Sequence, residues 1–416
     1  MLIGTNLTYA NSYNKRIIME TIRLYGPLSR VDIARKTQLT AQTVTNITKN
    51  LMKAGLIVED SRQSSGPGAP SILLKLNDKA GYSVGIDFDK DHLTAVLIDF
   101  NGRICRKKSL DLDYPSPDDA VEMMSSTVFE MIGRHGIDRD LVWGVGVGLP
   151  GPLAINEQGD VTRVVNPEAF PGWVNVPIAA MLEQKLQMPL LIENNASAAA
   201  IGEHWYGDGK HLKSFFYIYF GAGLGGGIVI DGQLYSGHTS NAGELGYFPM
   251  SAFAEPALEL DHDHLGEFFN IPRLQKKLQK SGHIASSIKD LKLLHSQNIP
   301  ELTDWLDDGS KSLVPLILGI EYMLDPEAIF FGGRLPETML LELVDKIKQL
   351  RPVHRITRKT KRPQYHIASA GIDAAALGVA SLPLYASFAP QHKLLMRQKV
   401  YTGQIRVASS AKGEFM

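Results

Sequence analysis

Apolar residues in the first 76 positions recur at helical spacing, and from residue 82 onward they gather into short, nearly continuous runs. Asn14–Leu24 sets Ile17, Ile18, Ile22 and Leu24 on or near one face, which predicts a helix that Gly26-Pro27 ends. Ser29 with Asp32 three residues on has the form of a capping box, opening a short second helix through Val31, Ile33 and Ala34. Thr40 caps a third helix to about Lys53, with Val44, Ile47 and Leu51 at i, i+3, i+7 and Gly55 closing it. Leu56–Val58 and Ser71–Leu76 read as two strands around a loop of Ser64, Ser65, Gly66, Pro67 and Gly68. Three short helices and a two-stranded wing predict a winged helix-turn-helix over residues 11–76.

Residues 77–81 form a short polar link. Tyr82–Asp87, Leu93–Asp99 and Ile104–Leu110 then read as strands, the last two joined through the turn signal Asn101-Gly102. A helix over Asp118–His135 and a buried strand over Val142–Gly148 follow. Further strands are expected at Leu190–Ile192, Ser214–Phe220, Ile228–Ile230, Ala328–Phe331 and Tyr365–Ala368. Helices are expected at Pro272–Gln297, Gly309–Leu324, Pro336–Leu350 and Ile372–Ala386. Alternating strands and helices make this an α/β body.

Charge changes the picture of the first segment. Residues 1–76 hold ten Lys/Arg against four Asp/Glu, a net +6 that leaves −7 for the rest of a chain whose total is −1. A basic end on a mildly acidic body suggests that this end meets a polyanion. The third helix turns a polar face outward, so DNA contacts are expected from Arg30, Thr40, Gln42, Thr43, Thr45, Asn46 and Lys49, with Arg62 reaching the backbone from the wing. Thr43 and Asn46 fit phosphate or water as well as base edges. The five basic residues between Arg355 and Arg362 read as a solvated loop or an auxiliary DNA contact.

Other features exclude whole classes. The single cysteine, Cys105, rules out an internal disulfide and a multi-cysteine zinc site. No apolar run approaches the roughly 20 residues of a membrane span, and the N-terminus lacks the order of a secretory signal. A cytoplasmic protein with no membrane partner is expected.

The stretch Leu190–Glu203, LLIENNASAAAIGE, is the most telling. A buried strand stops in Glu193-Asn194-Asn195 and a small-residue helix follows, a common place for an α/β protein to bind a small ligand. The segment resembles the ENDANAA stretch of the ROK family of repressors and sugar kinases. The β-β-β-α-β order of Tyr82–Gly148 resembles the first lobe of the actin-like ATPase fold. Residues 11–76 resemble the family's repressor heads.

The resemblance implies a two-lobed actin-like, ribonuclease H-like sugar-kinase fold behind the winged helix. The first lobe would cover 82–200, with the 372–388 helix returning to it; the second would cover 201–371, leaving 389–416 as a tail. In the family's kinases the residue at position 195 is an Asp, the general base for the sugar hydroxyl. Asn195 can hydrogen-bond a sugar but cannot take its proton at neutral pH. The kinases' DxGGT phosphate turn is here Asp87-Phe88-Asp89-Lys90-Asp91. Either its two added carboxylates repel a polyphosphate or they decorate an exposed turn; on both readings the cradle is gone. The glycine-rich Gly221–Gly227, the kinases' second phosphate loop, then serves as a tight link between strands.

Sugar contacts implied by the resemblance are Asn166, Asn194, Asn195, Glu244, Glu267 and Tyr247. Asn166 comes from Val165-Asn166-Pro167. Glu244 comes from Asn241–Gly246, which matches the family's signature, and Tyr247 stands where the family has a His. Trp173 reads as a packing residue. The family's zinc cysteines are absent, and His262 and His264 read as part of a solvated loop, so no metal or cofactor is expected. The resulting expectation is a sugar-responsive DNA-binding regulator, a repressor, and no enzyme. It would bind operator DNA as a homodimer or homotetramer and take a sugar or sugar phosphate as effector. Two rivals stay open: a sugar kinase that retains a DNA head, and a regulator worked by a protein partner.

Overall fold

The computed structural model describes residues 7–63, 71–155, 161–163, 172–173, 176–249, 264–351 and 361–388. Asn166, the wing loop, most of the 248–266 loop, Arg355 and the tail lie outside them, as does the side chain of Arg62.

The N-terminal head consists of α1 (Leu7–Tyr25), β1 (Leu28–Ser29), α2 (Arg30–Thr37), α3 (Ala41–Lys53), β2 (Ile57–Gln63) and β3 (Ser71–Leu76). Ser29 caps α2 through the amide of Asp32, and Thr40 caps α3 through the amide of Thr43. Both caps satisfy amides that the first helical turn leaves without partners. Val44, Ile47 and Leu51 are buried together on the inner face of α3. Helix α1 begins seven residues earlier than its apolar spacing suggests. Leu28-Ser29, between Gly26-Pro27 and α2, adds a third strand, giving the order β1-β3-β2.

The first body sheet has the order β10-β7-β4-β5-β6, built from β4 (Tyr82–Phe88), β5 (His92–Asp99), β6 (Ile104–Asp111), β7 (Val142–Leu149) and β10 (Leu190–Asn194). Helices α4 (Pro117–Arg134) and α5 (Ile178–Leu186) cover one face. A small hairpin of β8 (Leu153–Ile155) and β9 (Val161–Arg163) lies between β7 and α5 in the chain.

The second sheet has the order β13-β12-β11-β14-β15. Its strands are β11 (Phe215–Phe220), β12 (Leu224–Ile230), β13 (Gln233–Leu234), β14 (Ala328–Gly333) and β15 (Gln364–Ile367). Alternation along β11 sends Phe216, Ile218 and Phe220 to an outer core and Phe215, Tyr217 and Tyr219 to an inner one. The outer core is closed by α7 (Leu265–Phe268), α8 (Ile271–Lys280), α9 (Ile288–Ser296), α10 (Pro300–Leu324) and α11 (Glu337–Leu350). The single helix expected at 272–297 is thus two. It breaks at Ser281-Gly282, where Gly282 has φ +86, a conformation that suits glycine.

Between the sheets lie α6 (Asn195–Tyr206) and α12 (Ala374–Phe388). Helix α6 packs on β11 and β12, and α12 packs on β4, β7 and β5. The two helices cross with backbones touching: a Cβ on Gly378 would run into the carbonyl of Ala198. Alanine and glycine fill this crossing because nothing larger fits.

The head does not hang from a loose linker. Ile18, Met19, Ile22 and Leu28 of the head share one buried cluster with Val96 and Ile98 of β5, Phe100, and Ala376, Leu377, Ala380 and Leu384 of α12. The short link is pinned as well: Asn77 donates through Nδ2 to the Gly55 carbonyl at 2.7 Å, and Trp143 donates to the Ala80 carbonyl at 3.2 Å.

Candidate functional site

The strands β4, β7 and β10 all end at one cleft between the sheets, as the parallel register of Asp87, Gly148 and Glu193 requires. Asn194 closes β10 and caps α6. Its Oδ1 accepts from the amides of Ala196 and Ser197, at 2.8 and 3.4 Å. Its Nδ2 reaches across the cleft and donates to Glu244 Oε1 at 3.0 Å. Gly151, after β7, sits against this pair, and a Cβ there would overlap both the Glu244 carboxylate and the Asn194 amide.

The floor under Glu244 explains the glycine run. Gly225, Gly226 and Gly227 are part of strand β12, not of a loop. A Cβ at Gly225 would lie 2.7 Å from Ala196 Cβ, and one at Gly227 2.8 Å from the Ala196 carbonyl. The missing side chains let β12 lie against α6. Gly243 has φ +93 and lies against the carbonyl of Gly226, so the turn that presents Glu244 rests directly on the strand. Gly266 packs on Gly246 in turn, which brings Glu267 beside the same turn. Tyr247 is 42% exposed at its rim, with its ring 5.9 Å from that of His264.

Asn195 lies deeper and is 3% exposed. Its Nδ2 donates to the Phe88 carbonyl at 3.3 Å, and its Oδ1, beside Gly148, has no hydrogen-bond partner among the described residues. An amide suits this place. A carboxylate would set a second acceptor against the Phe88 carbonyl and would be costly to ionise there.

At the other end of the cleft the turn Asp87–Asp91 is filled by its own charges. His92 is 2% exposed. It bridges two carboxylates: Nε2 lies 3.2 Å from Asp87 Oδ2 and Nδ1 2.6 Å from Asp91 Oδ1. Burial alone would pull the imidazole down, but hydrogen bonding and the charge of Asp87, with Asp91, hold its pKa up at about 9. It is therefore a cation at neutral pH. Burial and the charge of Asp91 push the Asp89 carboxyl up to about 6, against the pull of His92 and Lys90. Burial would also raise Asp91, but its hydrogen bond to His92, the His92 charge and Arg334 hold it below the usual range. Arg334 follows β14, so it comes from the second sheet. The alternative of an exposed turn is corrected for Asp89, which is 5% exposed beside Lys90 at 8%; the side chain of Asp91, at 46%, does reach the surface.

A profile of the ROK family matches residues 83–385, and a profile described as winged helix-turn-helix DNA-binding matches residues 12–58. The chain belongs to the ROK family. It is 26% identical over 384 residues to the uncharacterized protein y4fQ of Sinorhizobium fredii, covering 91% of this chain and 92% of that one. It is 30% identical over 243 residues to the xylose repressor of Caldicellulosiruptor bescii, covering 58% of this chain and 60% of that one. Among solved structures it resembles a ROK family transcriptional regulator, a homolog of the E. coli MLC protein. That likeness has a TM-score of 0.67 and 21% identity, and covers 93% of this chain and 99% of the other.

Within this ROK chain the sequence-based site residues fall into two groups. Asn194 and Glu244 meet in the cleft, Asn195 lies buried against the Phe88 carbonyl, and Glu267 and Tyr247 stand beside the Glu244 turn; Asn166 lies outside the described residues. Thr40, Gln42, Asn46 and Lys49 are exposed on the head, and Thr43 and Thr45 are half-buried. Thr40 and Thr43 pair their hydroxyls at 2.8 Å, and Gln42 donates to Asn46 at 3.3 Å. Arg30 is turned inward in part: its Nε donates to Thr48 Oγ1 at 3.1 Å, which ties α2 to α3.

Trp173 is a packing residue, 1% exposed, against Phe88 at 5.4 Å. Sequence reasoning missed His92, Arg334 and Gly151. A polar residue at the start of an otherwise apolar strand was the available signal for His92. No group of three or more His, Cys, Asp or Glu among the described residues is arranged to hold a metal.

Proposed function

We propose that this ROK chain is a sugar-responsive DNA-binding repressor in which phosphoryl transfer has been lost. The observation that carries the reading is Asn195. It stands where the family's kinases have their base, and its buried Nδ2 is committed to the Phe88 carbonyl. A deprotonating group is absent from that position, and His92, Lys90 and three carboxylates fill the place of the triphosphate.

The sugar end remains usable. Glu244 and Glu267 accept from hydroxyls, and Asn166, Asn194 and Asn195 donate and accept; Tyr247 stands at the rim. The effector is a sugar or sugar phosphate, and kinship with a xylose repressor supports a monosaccharide. Operator DNA would be met by α3 through Gln42, Thr43, Thr45, Asn46 and Lys49, with Arg30 and Thr40 at its flank and Arg62 on the wing. The chain would act in the cytoplasm as a homodimer or homotetramer, its heads about one duplex turn apart.

The test combines three measurements on the full chain: duplex binding by fluorescence anisotropy, melting against a panel of sugars, and ADP release with each sugar and ATP. Binding of duplex, a raised melting temperature with one sugar and no turnover are expected. Turnover above background by the unaltered chain would establish the kinase reading instead. Duplex binding that no sugar alters would point to a protein partner.

A further inference from the structure

The head touches two different parts of the body. Its apolar core is continuous with β5 and α12, which belong to the first sheet. A large apolar contact of this kind makes two units move as one. The second contact runs from Arg23 of α1 to Trp205 of α6, a helix that packs on β11 and β12 of the second sheet as well as on α12. Arg23 of α1 lies with its guanidinium carbon 4.1 Å from the centre of the Trp205 ring. Glu20 holds that guanidinium from behind by two hydrogen bonds of 2.8 and 2.7 Å. A guanidinium fixed in this way is sensitive to where the ring lies, because cation–π attraction falls off with distance and offset.

Helix α6 connects this contact to the cleft. Its N-terminus is Asn195, capped by Asn194, and Trp205 stands in its last turn. Twelve residues span about 18 Å. Asn195 through Glu203 are buried without interruption, and α6 meets α12 and β12 with backbone against alanine or backbone. Such an element has little room to bend. A displacement at the cleft is carried along its axis to Trp205.

We infer that the Arg23–Trp205 stack is the joint through which the cleft acts on the DNA head. Occupation of the cleft turns α6, and the second sheet with it, about its close glycine–alanine crossing with α12. The head, fixed to α12, is then levered at Arg23. Arg23 and Trp205 are positioning residues and touch neither ligand. The inference rests on the regulatory reading given above.

The experiment uses the full chain and a duplex that it has selected from a random-sequence library. Duplex affinity is measured by anisotropy with and without D-xylose, D-glucose or N-acetyl-D-glucosamine, and sugar binding is measured separately by melting. The unaltered chain is expected to change its duplex affinity by about fivefold or more with one of these sugars. Arg23→Met and Trp205→Leu should keep the sugar-free duplex affinity and the sugar-induced melting shift. Their coupling should fall below about twofold, while Arg23→Lys, which keeps a cation over the ring, retains part of it. Arg23→Met alone suffices where Trp205→Leu fails to fold. Full coupling in Arg23→Met overturns the joint and leaves the regulatory reading intact. An unaltered chain that no sugar affects overturns both.

Discussion

The two ends of the cleft are built from the same strand ends, yet one presents half-buried polar side chains and the other is filled with charges of its own. At the first, Asn194 and Glu244 meet across the sheets at 3.0 Å, Gly151 leaves their tops uncovered, and both side chains are only half-buried. At the second, His92 sits between Asp87 and Asp91, beside buried Asp89 and Lys90. A hydrogen-bonded pair that water can still reach is readily exchanged for sugar hydroxyls. A buried imidazolium between carboxylates is not, since removing one member leaves an unpaired charge.

The largest effect is expected from breaking the filled end. His92→Leu leaves Asp87 and Asp91 without their common cation and should cost about 3–5 kcal/mol of stability, read from urea denaturation at neutral pH. A loss below about 1 kcal/mol would mean that the charges at this end are well solvated.

Proton linkage gives a second measure of the same end. His92 keeps its proton to about pH 9 in the folded chain, against 6.5 for the free side chain. Its stabilisation is complete below pH 6.5 and is lost as pH rises through 9, on the order of 3 kcal/mol at about 1.4 kcal/mol per pH unit of displacement. Asp89 has its carboxyl raised from 3.8 to about 6, so its ionisation also lowers stability, in the window from 3.8 to 6. Asp89→Asn should remove the acidic fall and leave the alkaline one, as melting temperatures across pH would show.

The open end is probed by Gly151→Ala. Its methyl group would overlap the Glu244–Asn194 pair, and sugar affinity should drop roughly tenfold to a hundredfold by calorimetry, with duplex affinity unchanged. Unaltered sugar binding would place the ligand elsewhere. The smallest effect is expected outside the cleft. Lys49→Ala should weaken duplex binding uniformly across sequences and lower the salt slope by about one. A change in sequence preference would instead give Lys49 a base contact.

The caps and the second and third helices of the head were legible, because their signals are local, while the start of α1 and strand β1 were not. Ser29 with Asp32, Thr40 before α3 and Gly55 after it each act within one helical turn. The strands around Asp87, Gly148 and Glu193 were legible for a similar reason: buried runs bounded by turn residues have few alternatives. The glycine run misled, since Gly225–Gly227 reads as a loop until α6 is laid against it. The break at Gly282 was hidden because helical spacing continues on both sides.

From the order of its residues alone, the chain indicated most of its elements and its basic end. These follow from spacing, capping and side-chain chemistry, which act over a few positions. Only the assembled fold decided that Asp89 and Lys90 are buried, that His92 joins two carboxylates, and that Asn194 meets a carboxylate fifty residues away. It also decided that the head shares a core with α12. These relations join side chains from separate strands and helices, and distances of that kind are set by how the sheets and central helices pack.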